Sequence, residues 1–411
     1  MNLKKSITWA VTGLFIFASA LQAEEIKGDK TAGKTDARRL AKSGMADDGP
    51  TSTFFNINSW KIQMEHQGFF QWNGTSHGSA GNYPKGMGSV IFAEGILWGV
   101  KATDKYGVDA TTGEILTDGS GAGTPRVRVN GSMYNTGLKA GKVLRDANGV
   151  IKTTGYSENY RDQQIWRVRK DWNTGDLTVD ASILRDISVA DVTEAMITAD
   201  KAQYEKDWNN WPTDEGAPFD DVNGNGFYDS DTDIPGYPGA NQTVWIIAND
   251  VPTIVDESGV AAGDPIDTAP NLYGSDPIGV ELQITMWGYA FGASDPLGNN
   301  VFKKATMKYM GLPDTPEEAM LDSLYFTQWS DPDLGTFTDD YVGCDIDLSF
   351  GYVYNGNRLD GVFNGIFNLP VPAGGYDFLQ GPPDNMDIDE DGDTTEYLGM
   401  TSFTYFGAGS A

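Results

Sequence analysis

The stretch Val280-Glu281-Leu282-Gln283-Ile284-Thr285-Met286-Trp287 decides the fold class. Apolar Leu282, Ile284 and Met286 alternate with polar Gln283 and Thr285, the period of two that sends successive side chains to opposite faces of a strand. The pattern predicts a strand with one face buried, as in antiparallel sheets. Working outward, strand-like runs recur at 244–248, 280–291, 302–309, 323–329 and 346–354, and upstream at 89–100, 164–168 and 177–183. Turn signals lie between the upstream runs: Asp118-Gly119-Ser120-Gly121, Asn130-Gly131 and Asn148-Gly149. Short strands at this spacing predict a mainly β chain of antiparallel β-sandwich units joined by long Gly/Asp-rich loops. No internal repeat of fixed period is present.

Two short helices interrupt the pattern. The first runs from Asp191 or Thr193 to about Trp208, through Ala195, Met196, Ala199 and Ala202, and Pro212 stops it. The second starts at Thr315 as N-cap, with Pro316 at its first position and Glu318 three residues after the cap. The predicted organisation is a signal peptide (1–23), a flexible polar leader (24–52), a β-rich N-terminal domain (53–190), a helix-and-loop connection (191–240) and a sandwich-like C-terminal domain (241–411).

The signal-peptide reading rests on Lys4 and Lys5, the apolar run from Ile7 to Leu21 and the small residues before Glu24. Cleavage after Ala20 or Ala23 fits. No later apolar stretch of about 20 residues offers a membrane span. Localisation is therefore expected to be secreted or at the cell surface, with the periplasm as the alternative. The 58 acids and 29 bases give a net charge of -29, and loss of the first 23 residues, with two lysines and no acids, makes it -31. That charge excludes a nucleic-acid or anionic-membrane partner, which needs clustered Lys and Arg. It serves either solubility or the binding of divalent cations. Cys344 stands alone, so the chain has no internal disulfide and the thiol reads as a small core residue.

The sharpest motif is Asp221-Val222-Asn223-Gly224-Asn225-Gly226-Phe227-Tyr228-Asp229-Ser230-Asp231-Thr232-Asp233. Asp221, Asn223 and Asn225 fill the first three odd positions of an EF-hand-type loop, Gly226 the sharp turn, Phe227 the backbone-carbonyl position and Asp229 the water-linked one. Calcium is a hard ion that takes six to eight oxygens, and short side chains on alternate residues let one turn supply several. The twelfth position holds Thr232 instead of Glu, so Asp231 or Asp233 must close the site. A second loop, Asp387, Asp389, Asp391 and Asp393 around Gly392, repeats the half-motif, with Glu396 within reach. A third acidic cluster, Asp331, Asp333, Asp339, Asp340 and Asp345, follows no template.

Catalytic patterns are weaker. His66 and His77 are the only histidines, without zinc-ligand spacing, and no G-x-S-x-G elbow occurs. Glu65, Glu94 and Glu281 beside aromatics leave a two-carboxylate glycoside hydrolase as the alternative to a non-catalytic protein. The 11 Trp serve a sandwich core or stack on sugars, so polysaccharide or cell-surface components stand beside calcium as expected partners.

Several stretches in joint order resemble a family of large secreted proteins of Bacteroidetes-type bacteria, whose members often end in a type IX secretion sorting domain. They are Tyr83-Pro84-Lys85-Gly86-Met87-Gly88, Ile91 to Gly99, Asp207-Trp208 through Trp211-Pro212, Gln328-Trp329-Ser330-Asp331-Pro332-Asp333, Asp339 to Asp345, and Gly351-Tyr352-Val353-Tyr354-Asn355-Gly356. The resemblance spans roughly residues 54 to 405 and implies an extracellular β-protein without an established activity. Similar proteins continue beyond the point matching Phe403, so the chain is expected to be a fragment, or a protein that stays periplasmic or leaves by another route.

Overall fold

The computed structural model describes residues 8–12, 49–68, 70, 80–103, 111–112, 126–133, 138–145, 151–156, 163–251, 277–312, 315, 319–384 and 396–405. The expected leader as far as residue 48, the Asp118 and Asn148 turns, the helix start at 316–318 and the loop at 387–393 lie outside these residues, whereas Ser52, placed at the leader's end, already belongs to a strand. In chain order the first strands are β1 (Thr8–Thr12), β2 (Ser52–Phe55), β3 (Lys61–Glu65), β4 (Gly81–Asn82), β5 (Ser89–Ile91), β6 (Ala93–Thr103) and β7 (Arg126–Gly131). They are followed by β8 (Lys139–Ala140), β9 (Val143–Arg145), β10 (Ile151–Tyr156) and β11 (Trp166–Arg169), then helices α1 (Thr178–Arg185) and α2 (Glu194–Asn209). Next come β12 (Phe219–Asp220), β13 (Ile234–Pro235), β14 (Gln242–Asn249), β15 (Val280–Gly288) and β16 (Phe302–Tyr309). The last to concern us are β17 (Met320–Asp331), β18 (Asp340–Asp345), β19 (Phe350–Asn355) and β20 (Gly374–Asp377).

The fold is mainly β, and its strand pairs are antiparallel. The largest sheet runs β1-β16-β15-β14-β11, with β8 also on β14. Smaller sheets are β17-β6-β7, β2-β3-β4-β5 and β18-β19-β20. Strand β1 pairs with β16 inside the segment read as a secretory signal, so cleavage there would leave β16 at the sheet edge.

The alternation in β15 does its expected work on one face. Leu282, Ile284 and Met286 join Val244, Ile246, Ala305 and Met307 in the main core, each almost fully buried. Burying an aliphatic side chain of this size stabilises by roughly 1.5–3 kcal/mol. The opposite face departs from expectation, because Glu281, Gln283 and Thr285 are buried as well. Alternation reports the polarity of a face, and a polar face can be covered when its groups find partners. Gln283 donates to the Glu215 carbonyl at 2.7 Å, and Glu281 accepts from the Val143 N–H at 3.0 Å. On that same side of the sheet Trp166, Val168, Trp211, Ala217, Trp245 and Ile247 form a second core.

Four further expectations are corrected. Residues 177–183 form helix α1 instead of a strand: Asp176 Oδ1 takes both the backbone N–H (2.9 Å) and the hydroxyl (2.6 Å) of Thr178, which turns the chain into the helix. Asn130-Gly131 is no turn but the end of β7, opposite Trp98 and Leu97. Residues 346–349 are a turn, and the strand before it is β18. The strands also do not divide at 190–241: β6 pairs with β17 over Ala93 to Thr103, β11 pairs with β14, and one core holds residues from Phe55 to Tyr376.

Helix α2 matches its expected span. Thr193 caps it through Met196 N–H, and Pro212 follows its end. Its buried face is Asp200, Tyr204 and Asp207, at offsets of four and seven. Each has a polar partner: Asp200 binds both Arg185 terminal nitrogens at 2.6 and 2.7 Å, Tyr204 donates to Asp180 at 3.0 Å, and Asp207 accepts from the Arg167 N–H at 3.2 Å. Asp180 in turn bonds Arg167 and Asn56, so α1 and α2 are held on β11 by a buried polar network.

Candidate metal centre in the Asp221 loop

The loop 221–233 closes a two-stranded hairpin in which Phe219 faces Pro235 and Asp220 faces Ile234. The ladder ends there, and the Asp233 N–H bonds the Asp229 carbonyl at 2.7 Å inside the loop. Asp221 Oδ1 accepts from the N–H groups of Gly224 (2.8 Å) and Asn225 (3.1 Å), and Oδ2 accepts from Gly226 (2.7 Å). Asn223 Oδ1 accepts from Asn225 N–H at 3.0 Å and Asn225 Oδ1 from Phe227 N–H at 2.7 Å. These short side chains thus cap the backbone N–H groups of the loop from Gly224 to Phe227. Gly226 has φ +78°, a left-handed conformation that costs glycine nothing and nearly every other residue strain.

Asp233 is the residue that spans the loop. It is 2 % exposed, and its carboxylate accepts from Val222 N–H at 3.1 Å and Asp229 N–H at 2.8 Å. Asp231 lies exposed in the turn, its N–H held by Asp229 Oδ1 at 3.1 Å. Thr232 meets Asn223 Nδ2 at 2.9 Å. The Phe227 ring is 77 % exposed and its N–H is taken by Asn225 Oδ1.

The loop is tied to the molecule by its aromatic neighbours. Tyr228 donates to the Trp208 carbonyl at 2.6 Å, Trp208 Nε1 to the Ser230 carbonyl at 3.2 Å, and Tyr228 packs edge-on against Phe219 at 5.6 Å. Burial, reinforced by the Asp233 and Asp229 carboxylates, raises the Tyr228 phenol, so it stays a neutral donor. Among the described residues no three His, Cys, Asp or Glu side chains gather as a metal site made of those types alone would require. A cation here would draw equally on the Asn223 and Asn225 amide oxygens and the Phe227 carbonyl, the mixed oxygen set that suits calcium.

Asp387, Asp389, Asp391 and Asp393 lie outside the described residues, and Glu396 enters only through the backbone of a short strand. In the third cluster, burial and the neighbouring Asp331 and Asp340 push Asp333 up to about 8. Burial likewise pushes Asp340 up to about 7 against the Leu334 N–H bond, with Asp339 and Asp360 adding to the rise. Asp345 is exposed and accepts from Leu348 N–H at 3.1 Å.

The candidate catalytic carboxylates are engaged in packing. Glu94 is 3 % exposed; its Oε1 accepts from Lys303 at 2.7 Å and its Oε2 from Tyr376 at 2.6 Å. Lys303 also donates to Gln328 at 3.0 Å and lies 4.1 Å from the centre of the Phe70 ring. Burial lowers the Lys303 ammonium while Glu94 works to keep it charged. The sequence singled out Glu94 but not its partners Lys303, Gln328 and Tyr376, which come from three other strands. Glu281 pairs with Lys308 at 3.5 Å, Glu65 accepts from Gln63 at 3.0 Å, and His66 Nδ1 lies 2.6 Å from the Gln163 carbonyl. His77 is outside the described residues. A shallow open groove along Ile57, Asn58, Lys85 and Phe291 has no carboxylate in its lining.

No protein-family model, curated protein or solved structure matches this chain. The resemblance to large secreted proteins therefore rests on the quoted residues.

Proposed function

We propose that this chain is an exported, calcium-stabilised β-protein of the cell surface or exterior, with a structural, adhesive or ligand-binding role. The observation that carries the reading is the 221–233 loop itself, where buried Asp233 accepts from the Val222 and Asp229 N–H groups and the Asp221 carboxylate accepts from those of Gly224, Asn225 and Gly226. Calcium in the loop would offset the repulsion among its acidic residues and use the amide oxygens of Asn223 and Asn225. Export is supported by the N-terminal Lys4-Lys5 and apolar run, and a non-catalytic role by the ion pairs that occupy Glu94 and Glu281. Among the described residues no helix is long and apolar enough to cross a membrane.

Titrating calcium calorimetrically into the chelator-treated chain tests this. Binding with a dissociation constant of about 10⁻⁴ to 10⁻³ M is expected, the range of extracellular modules. Asp221→Ala is expected to remove one binding event and leave any contribution of the 387–396 loop. Heats unchanged by Asp221→Ala and by Asn225→Ala would refute the calcium reading.

A further inference from the structure

The sheet β18-β19-β20 turns Val353 and Tyr376 into the core. Its other face carries Phe350, Tyr352 and Tyr354, two residues apart on β19, with Tyr341 of β18 directly opposite Tyr354. Tyr341 is 57 % and Tyr354 45 % exposed. The four rings form a continuous ladder: centroids lie 5.9 Å apart for Phe350 and Tyr352, 6.2 Å for Tyr352 and Tyr354, and 5.9 Å for Tyr354 and Tyr341, with interplanar angles of 24°, 32° and 24°. Glycines make the rings lie flat along the sheet. Tyr352 occupies the place of a β-carbon at Gly343, its partner on β18, and Phe350 does the same at Gly375 of β20. Carboxylates flank the ladder's lower end, because Asp345 and Asp377 are the two cross-strand partners of Phe350 and both are exposed.

Charge sets the occupant. Residues 309–411 contain 19 Asp or Glu and a single base, Arg358. An aromatic face presents negative π-density, and carboxylates beside it add to the attraction for a cation. Spacing sets its shape, since an extended chain rises about 3.3 Å per residue and brings same-face side chains roughly 6.6 Å apart, close to the ring repeat. We propose that this face binds an extended, arginine-bearing segment of another protein, whose alternate guanidinium groups stack over successive rings while Asp345 and Asp377 take their N–H donors. Arginine suits the site better than lysine because its planar cation both stacks and bonds a carboxylate in a fork.

The test is fluorescence anisotropy of the full chain, saturated with calcium, against labelled decapeptides that alternate Arg, Lys or Glu with Ser, together with retention on neutral insoluble polysaccharide. The Arg peptide is expected to bind, the Lys peptide more weakly and the Glu peptide not at all, with affinity falling as salt rises. Tyr352→Ala and Tyr354→Ala are each expected to weaken Arg-peptide binding about tenfold, and Tyr352→Phe, which keeps the ring, to leave it within about twofold. Asp345→Asn combined with Asp377→Asn is expected to weaken it several-fold, while Asp191→Asn, an exposed acid of the 189–191 turn, leaves it unchanged. Melting curves for every variant confirm folding. The idea is overturned if the Arg peptide fails to bind, or if binding ignores the ring substitutions and so reflects acidity alone. Ring-dependent retention on neutral polysaccharide without Arg-peptide binding would overturn it in favour of a sugar platform. Calcium binding at the Asp221 loop stands or falls separately, by calorimetry.

Discussion

Lys303 is a single cation with 6 % of its surface exposed, held by Glu94, Gln328 and the face of Phe70. A buried ion pair contributes little net stability, because both charges are stripped of water, but removing one partner strands the other. Lys303→Met is therefore expected to lower unfolding stability by about 3–5 kcal/mol, and the double variant Lys303→Met with Glu94→Gln to recover much of the loss. Urea denaturation reads both. A double variant as unstable as the single one would mean that Lys303 acts through packing of its aliphatic stem. The same scale explains what could be read in the metal loop. The offsets of Asp221, Asn223 and Asn225 are visible in the sequence, whereas Asp231 and Asp233 are equivalent there. Only the structure tells them apart, leaving Asp231 exposed and burying Asp233 on the N–H groups of Val222 and Asp229.

Helix α2 teaches a different lesson about elements. Its Thr193 cap and Pro212 stop gave its span, but its contact face of Asp200, Tyr204 and Asp207 reads in sequence as a solvated surface. Periodicity finds apolar faces, and this face is polar with its partners supplied from β11 and α1. Helix α1 misled for the opposite reason: a short apolar run around Leu177 fits strand and helix alike. The aromatic ladder was legible as alternation at 350, 352 and 354, though its exposure was not. The polar face of α2 has a pH consequence. Burial pushes Asp207 up to about 7 despite its bonds from the Arg167 N–H and Gln203. Its folded pKa thus exceeds the unfolded value near 3.9, so its stabilising contribution is complete below about pH 4 and is lost as pH rises through about 7. Asp207→Asn keeps an acceptor for Arg167 and removes this titration. Between pH 5 and 8 the stability of Asp207→Asn relative to the parent chain is expected to rise by about 2 kcal/mol. A parallel pair of stability curves would show that Asp207 does not titrate there.

The molecule as a whole joins segments that the sequence had suggested were separate. Strands from before residue 190 and after 241 share sheets and one core, so the 211–244 segment is a strap across a single body and not a linker between two. That strap carries Asp220, Asp221, Asp229, Asp231 and Asp233 within 14 residues, in a chain of net charge -29. Its clustered oxygens and its ties through Tyr228, Trp208 and Trp211 make it the place where a cation would couple to global stability. A ligand that binds only the folded state adds about 2.7 kcal/mol at a hundred times its dissociation constant. The decisive measurement is the melting temperature of the chain with excess calcium and with chelator, for the parent and for Asp221→Ala. The account predicts a rise of several degrees with calcium in the parent, with most of that rise gone in Asp221→Ala. Equal melting temperatures with and without calcium in the parent chain would contradict it.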